Sequence, residues 1–267
     1  MYPFFFKNQD RRRMRRCLRS IDIGSRFSRL PGASLHPWMW PSKTDMRWLP
    51  INEDIEMAED MPMPITILDQ LIEGASHRMI YEFCGCREAC QCNHYPREIG
   101  CLMMGDSAVG ANPDFCREVD VAEAKEHARK AVDAGLVPFV GVAKVDETIF
   151  GIKGRGHLLS VCFCCECCCL TRFFSRFPLK NVENMMTPLD GIRLEINDNC
   201  NGCGTCVEKC YTKAIDIVNG RARKGAYCRY CGRCASVCPN DAIEISLNDP
   251  DYIDKTIERI RSYVKYG

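Results

Sequence analysis

The stretch CNGCGTCVEKC at residues 200–210 decides the fold of the C-terminal part of this chain, and CRYCGRCASVCP at residues 228–239 repeats it. Both copies contain the spacing C-x2-C-x2-C-x3-C, and Pro239 directly follows the last cysteine of the second copy. This spacing is typical of two-cluster bacterial ferredoxins, in which three cysteines bind one 4Fe-4S cluster and the distant fourth binds the other. It predicts two ligand sets: Cys200, Cys203, Cys206 and Cys238 for one cluster, and Cys228, Cys231, Cys234 and Cys210 for the other.

Zinc is the alternative metal for these motifs, because C-x2-C pairs also build zinc ribbons. Four ligands complete a zinc site, however, so the third cysteine at the next interval would have no role. Gly202, Gly204 and Gly232 favour clusters, since glycine lets backbone amides approach the cluster sulfides. Tyr211 stands where ferredoxins usually have proline, which predicts an altered potential with unchanged ligation.

The composition indicates a globular protein that works in a reducing environment. Hydrophobic residues make up 46% of the 267 residues and charged residues 27%, which excludes wholesale disorder. The 21 cysteines are crowded into groups with adjacent thiols, which would scramble in an oxidising compartment. The chain also lacks a signal-peptide pattern and any run of about 18 apolar residues. We therefore expect a cytoplasmic protein of an anaerobe.

Two further groups of cysteines precede the ferredoxin motifs. They are Cys84, Cys86, Cys90, Cys92 and Cys101, and Cys162, Cys164, Cys165, Cys167, Cys168 and Cys169. In an extended chain Cys165, Cys167 and Cys169 would share one face. Cys162, Cys164 and Cys168 would share the other face. Two faces suggest two additional 4Fe-4S clusters, with about sixteen irons in total, or one additional cluster, with about twelve. A zinc site built from four of these thiols is the alternative.

The chain divides into three parts with an α+β organisation. Residues 1–60 form a basic, proline- and tryptophan-rich arm without a predicted element, 61–190 a cysteine-rich α/β cluster-binding domain, and 191–267 the ferredoxin domain with a C-terminal helix. Helical periodicity predicts a helix from Pro64, a helix from the capping box of Asp120 and Glu123 to a stop at Gly135, and a C-terminal helix with one apolar face formed by Ile253, Ile257, Ile260 and Val264. A short strand is predicted at Ile192–Ile196. Residues 1–30 contain nine Lys or Arg and two Asp. This excess of positive charge predicts that the arm docks on a protein partner, or alternatively on an anionic membrane surface.

The sequence resembles a family of anaerobe ferredoxin-domain proteins with an upstream cysteine-rich module. The matching stretches are CGCR from Cys84, CNHYP from Cys92, GCLMMGDSA from Gly100, AGLVPFVG from Ala134 and CFCCECCC from Cys162, within residues 45–245. The resemblance implies an iron-sulfur protein. Cys90 is additional to this pattern, so we do not count it among the ligands.

These features predict an iron-sulfur electron-transfer subunit of a larger oxidoreductase complex, without catalytic residues of its own. The sequence contains no flavin or nicotinamide fingerprint, and no nucleic-acid partner is expected. The alternatives are an enzyme whose upstream cluster binds a disulfide or corrinoid substrate, and a redox sensor. Cys17, Cys116, His77 and His94 are interpreted as ordinary residues, whereas Arg87 is expected to donate hydrogen bonds to a cluster or its thiolates.

Overall fold

The structure, a computed structural model, describes residues 11–28, 44–51, 55–59, 61, 63–143, 146–147, 150, 152 and 158–267. Residues 1–10 and 29–43 of the predicted docking arm, and the side chains of Arg11, Arg12, Arg13 and Cys17, lie outside what it describes. Within the described part of the chain, no helix is both long enough and apolar enough to cross a membrane.

A six-stranded antiparallel sheet forms the centre of the N-terminal two thirds, with strand order β1-β5-β6-β3-β2-β4. Its strands are β1 (Thr44–Trp48), β2 (Arg78–Tyr81), β3 (Leu102–Met104), β4 (Cys116–Glu118), β5 (Val137–Ala143) and β6 (Leu159–Cys164). β1 and β5 approach so closely that a Cβ on Gly141 would lie 2.0 Å from the carbonyl oxygen of Asp45. Glycine is therefore required there, and the pairing brings Trp48 opposite Phe139.

The helices around this sheet confirm the capping and periodicity predictions. They are α1 (Arg11–Arg26), α2 (Ile65–Glu73), α3 (Gly85–Cys90), α4 (Val121–Asp133) and α5 (Leu179–Met185), with 3-10 helices at Asp106–Gly110 and Leu170–Arg176. Asp120 caps α4 by accepting a hydrogen bond from the backbone N–H of Glu123. Gly135 follows that helix with φ of +76°, as its prediction as a stop requires.

The C-terminal part is built from two copies of one unit, 28 positions apart. Its elements are β7 (Ile192–Ile196), α6 (Thr205–Lys209), β8 (Ile215–Val218), β9 (Arg221–Lys224), α7 (Arg233–Ser236), β10 (Ile243–Leu247) and α8 (Tyr252–Tyr263). β7 pairs with β10 and β8 with β9, so each copy contributes one strand to each antiparallel pair. Gly204 and Gly232 begin α6 and α7 with φ of +84° and +78°, which shows that the two copies share the same turn.

The expectation that residues 1–60 contain no regular element is wrong for two described segments. α1 packs on α3 and on the second 3-10 helix through Leu18 and Ile21. Its buried face was missed because it is short in apolar residues and includes Ser25. β1 belongs to the central sheet, and Trp48 is 1% exposed. This tryptophan therefore packs on the body of the protein.

The C-terminal helix α8 joins the ferredoxin part to the rest of the molecule. It contacts α2 and β5, and it buries Ile253, Ile257 and Ile260 as the periodicity predicts. Arg259 of α8 also bonds to the buried carboxylate of Asp45 on β1, with an Nε–Oδ2 distance of 2.7 Å. The two parts of the chain consequently share one continuous core.

Candidate metal centres

The first ferredoxin set, defined as Cys200, Cys203, Cys206 and Cys238, lines a single cavity. Gly202 and Gly204 line it too, and both have positive φ, so the loop wraps the cavity with its backbone. The backbone N–H groups of Ala222 and Ala242 donate to the Sγ atoms of Cys200 and Cys238, each over 3.3 Å. Amides directed at sulfur suit thiolate ligands of a cluster, so the chemistry of this donor set fits a 4Fe-4S group.

The second ferredoxin set, defined as Cys210, Cys228, Cys231 and Cys234, lines another cavity. Ala214 donates its backbone N–H to Cys210 Sγ over 3.2 Å, which repeats the Ala242 contact of the first set. Burial raises the pKa of Cys231 and of Cys234 well above the ordinary thiol value. Thiolates at such positions need a bound cation to compensate their charge, which this set would receive from cluster iron. Trp48 closes one side of the cavity.

Tyr211, the residue that replaces the usual proline, connects the second ferredoxin set to the central sheet. Its buried hydroxyl donates to the carbonyl oxygen of Cys164 over 2.9 Å, and its ring centroid lies 5.8 Å from that of Trp48. Burial, with a further contribution from the Cys164 and Cys231 thiolates, raises the pKa of Tyr211, so the hydroxyl remains protonated. The proline of ferredoxins could not form this link.

The segment from Cys162 to Cys169 is extended only as far as Cys164, where β6 ends. A turn follows, closed by a hydrogen bond from Cys169 N–H to the Cys165 carbonyl over 3.2 Å. The prediction that alternate cysteines share a face is therefore wrong beyond the strand, because the turn exchanges Cys168 and Cys169 between the two groups.

The middle of the chain contains two groups of thiols, and the larger group lines a cavity of about 150 Å³. Seven cysteines line this cavity, but Cys165 is assigned to the second group, described below, so we call it the six-thiol cavity. The remaining six are Cys84, Cys86, Cys101, Cys162, Cys164 and Cys169. The Sγ atoms of Cys101 and Cys162 lie 3.6 Å apart, and those of Cys164 and Cys169 lie 3.2 Å apart. β2, α3, β3 and β6 thus converge on one thiol-rich space.

The walls of the six-thiol cavity are mostly apolar, and α1 forms part of them. Phe139 and Phe174 contribute aromatic surface, and Ile21 of α1 lines the cavity. Asp146 also lines the cavity, and burial raises the pKa of its carboxyl to about 6. The contact with Cys86, supported by the Arg87 guanidinium, lowers the pKa of Cys84 to about 6. The cavity therefore combines apolar walls with lowered pKa values at Cys84 and Cys169, whereas neighbouring thiols and burial raise the pKa of Cys86, Cys162 and Cys164.

The four-thiol group consists of Cys92, Cys165, Cys167 and Cys168, whose Sγ atoms all lie within 4.8 Å of one another. The Sγ distances are 3.7 Å from Cys92 to Cys167 and 3.5 Å from Cys167 to Cys168. The contact with Cys168, together with its backbone amide and the charge of Arg87, lowers the pKa of Cys165 to about 5. Cys165 is thus suited to bind a metal ion as a thiolate, whereas burial raises the pKa of Cys167 and the contact with Cys165 raises that of Cys168, so these two thiols would lose their protons only to a bound metal.

Arg87 is fully buried between these two thiol groups. Its guanidinium donates to the carbonyl oxygens of Pro96 over 2.8 Å, Phe163 over 2.7 Å and Ile99. These bonds hold the loop after α3 against β6, while its charge acts on both Cys84 and Cys165. The guanidinium thus supplies a fixed positive charge to two thiol groups.

Glu166 is a functional candidate that sequence reasoning missed. It lies inside the CFCCECCC segment, is 6% exposed, and accepts hydrogen bonds from Tyr95 over 2.9 Å and Lys209 over 3.0 Å. Arg233 approaches the same carboxylate with an Nε–Oε2 distance of 3.9 Å. Lys209 precedes Cys210 and Arg233 precedes Cys234, so Glu166 ties the four-thiol group to both ferredoxin copies. A lone acid among cysteines was the only available signal.

The remaining candidates lie away from these centres or at their margin. Cys90 is exposed, with its Sγ 4.0 Å from the Cys168 carbonyl oxygen. Cys116 is buried beside the Asn112 carbonyl, and His77 pairs with Glu118 over 2.7 Å. His94 is exposed. The interpretation of Cys116 and His77 as ordinary residues agrees with these contacts.

Comparison with known proteins identifies the C-terminal region. The family described as 4Fe-4S binding domain matches residues 195–216 and 226–244, and these two ranges contain all eight cysteines of the two ferredoxin motifs. No curated protein and no solved structure matches the chain. The C-terminal part of this protein is a 4Fe-4S ferredoxin-type domain, and a cysteine-rich region precedes it.

Proposed function

We propose that this protein is an iron-sulfur electron-transfer subunit that relays single electrons between redox partners in a larger oxidoreductase complex of the anaerobic cytoplasm. In this proposal the two ferredoxin sets each hold one 4Fe-4S cluster, and the six-thiol cavity holds a further iron-sulfur centre. Such clusters exchange one electron at a time when bound. The protein supplies the thiolates, the amides directed at sulfur and a dry surrounding.

The observation that carries the proposal is the hydrogen bond from Tyr211 to Cys164. Tyr211 directly follows Cys210 of the second ferredoxin set, and Cys164 belongs to the six-thiol cavity. One side chain and one 2.9 Å hydrogen bond thus connect a ligand candidate of one centre to a ligand candidate of the next. A relay requires neighbouring centres held at a short and constant distance, and this contact supports such an arrangement.

Fixed charges near the thiol groups support the same role. Arg87 lies between the six-thiol cavity and the four-thiol group, and Lys209 and Arg233 adjoin the second ferredoxin set. Cations near a centre stabilise its reduced, more negative state and so raise its reduction potential; Arg87 is fully buried, whereas Lys209 is partly exposed and, like Arg233, faces the Glu166 carboxylate. Differences in these surroundings would grade the potentials along the relay.

The outer face of α1 supports docking to a partner protein. Ile23 and Phe27 are 59% and 55% exposed, and Arg15, Arg16 and Arg19 are exposed on the same helix. Exposed apolar residues surrounded by arginine are typical of protein interfaces. The partner proposed for this face is an acidic redox protein, and an anionic membrane surface is the alternative.

Anaerobic full-length protein tests the relay. Iron and acid-labile sulfide analysis is expected to give about eight irons from the ferredoxin sets and at least about four more from the middle of the chain. Partial reduction by a one-electron donor, followed by rapid freezing and EPR, should show electrons distributed over both regions. Iron restricted to the ferredoxin domain, or a middle centre that never changes oxidation state, would refute the relay.

The six-thiol cavity also favours a second candidate function, reduction of a small disulfide. Its walls are apolar, and Asp146 would be a proton donor because burial raises its pKa to about 6. Cleaving one disulfide to two thiols consumes two electrons, which the relay would supply, and two protons, of which Asp146 would donate one and solvent the other. Thiol formation from added small disulfides by the reduced protein tests it. If the protein is a disulfide reductase, wild type should form thiol catalytically and Asp146→Asn should not. If it is only a relay, neither protein should form thiol.

A further inference from the structure

We infer that the four-thiol group is a mononuclear metal site, in which Cys92, Cys165, Cys167 and Cys168 hold one divalent zinc or iron ion tetrahedrally. The inference does not depend on the proposed relay. It is based on the geometry of four sulfur atoms and would hold even if the middle of the chain carried no redox-active cluster.

The sulfur separations match a single central ion. A metal–sulfur bond of about 2.3 Å in a tetrahedral site places the ligand sulfurs about 3.8 Å apart. The Sγ distances are 3.7 Å from Cys92 to Cys167 and 3.5 Å from Cys167 to Cys168, and no Sγ pair of the group exceeds 4.8 Å. A cubane inserts iron and sulfide atoms between its thiolates, so its ligands must stand farther apart.

The ferredoxin sets provide an internal comparison. Each of those sets surrounds a cavity, as a cluster requires. Among the residues that the structure describes, the four-thiol group is the one place where three or more potential metal ligands come within 4.8 Å of one another. The same chain thus contains open thiol sets that suit cubanes and one compact set that suits an ion.

The surroundings of the four-thiol group suit its charge. Four thiolates around a divalent ion leave about two negative charges. Arg87 acts electrostatically on Cys165, and the Arg172 guanidinium bonds to the Cys168 and Cys169 carbonyls. Three of the four thiols are buried, whereas Cys167 is exposed and gives the ion a path from solvent.

The expected role is to fix the turn that divides the cysteines of residues 162–169 between two centres. Cys165, Cys167 and Cys168 belong to that turn, whereas Cys92 follows α3. One ion would therefore lock the turn to α3. It would also hold Glu166 in place for its bonds to Lys209 and Tyr95.

Cys90 offers a matched control for the ligand assignment. It lies on the same side of the turn, with its Sγ beside the Cys168 carbonyl oxygen and 3.7 Å from Arg172 Nη2, yet it is not a member of the compact group. Cys90 and Cys167 are both exposed. Replacing either by alanine therefore removes a similar accessible thiol, and only Cys167→Ala removes a proposed ligand.

The experiment measures zinc, iron and acid-labile sulfide in anaerobically prepared full-length protein and in the two variants. Cys167→Ala is expected to lose about one metal ion per chain without loss of sulfide, while Cys90→Ala keeps the full content. The identity of the lost ion decides between zinc and iron.

Loss of about four irons with about four sulfides from Cys167→Ala would overturn the inference, since it would make this group a cubane site. Unchanged metal content in both variants would overturn it as well. Failure of the relay is recognised separately, because it concerns EPR signals and electron distribution in wild-type protein rather than one ion lost from a variant.

Discussion

Replacing Tyr211 by phenylalanine tests the link between the ferredoxin domain and the central sheet. The substitution keeps the buried ring and its contact with Trp48 but removes the hydroxyl that donates to the Cys164 carbonyl over 2.9 Å. A hydrogen bond of this kind contributes about 1 kcal/mol, and an acceptor left unpaired in a buried position adds to the cost. We therefore expect a loss of about 1–2 kcal/mol in the free energy of unfolding.

In a protein of this size each kcal/mol shifts Tm by about 2–4 °C, so the melting temperature should fall by about 2–8 °C. Anaerobic thermal melts, read by circular dichroism and by cluster absorbance, measure the change. Tyr263→Phe is the matched control, because Tyr263 is 39% exposed at the end of α8.

The same variant tests the relay. Electron transfer between the ferredoxin clusters and the middle centre should slow in Tyr211→Phe while the iron content stays that of the wild type. A variant with unchanged stability and an unchanged distribution of electrons after rapid freezing would show that the hydrogen bond supports neither the packing nor the transfer.

Three further predictions follow from the site geometry. Cys206→Ala should remove about four irons while EPR still detects the cluster of the second set, whereas loss of both clusters or of neither would contradict the pairing of ligands. Because burial raises the Asp146 pKa from 3.8 to about 6, the protonated carboxyl stabilises the folded state. The free energy of unfolding of wild type relative to Asp146→Asn should therefore be highest below pH 3.8 and fall by about 3 kcal/mol as pH rises through about 6. Equal urea midpoints of the two proteins at every pH would contradict this. The double substitution Ile23→Ser and Phe27→Ser should reduce recovery of partner proteins in native anaerobic purification without loss of iron, and recovery equal to that of a Val218→Ser control would exclude α1 as the docking face.

The regular elements with strong local signals could be predicted from the sequence. Helix α4 was indicated by its cap at Asp120 and its stop at Gly135, and β7 has the predicted bounds Ile192–Ile196. Periodicity likewise indicated the buried face of α8. In these cases the information lies within a few residues of the element, so one sequence suffices.

The arrangement of the middle thiols could not be predicted, because a turn decides it. Alternation holds along β6, but it fails once the chain turns between Cys165 and Cys169. Nothing in six nearly consecutive cysteines marks where a strand ends. The pairing of Cys92 with Cys167 and of Cys101 with Cys162 depends on contacts across more than sixty positions, which only the fold supplies.

The prediction that residues 1–60 contain no regular element was wrong for a different reason. α1 presents few apolar residues, and beside Leu18 and Ile21 its contacts are polar: Asp22 pairs with Arg176 at 2.5 Å, and Ser28 donates to the Arg176 carbonyl oxygen. Both partners of these contacts are polar residues far apart in sequence. Such residues look like a solvated surface until the fold brings them together.

The position of α1 over the six-thiol cavity sets an order for maturation of the protein. The helix is synthesised first, yet the residues that hold it, around Arg176, leave the ribosome about 150 positions later. Ile21 and Ser25 of the docked helix line the cavity. An iron-sulfur centre of the kind proposed for this cavity would therefore be inserted before the helix docks, which would couple cluster insertion to a late folding step.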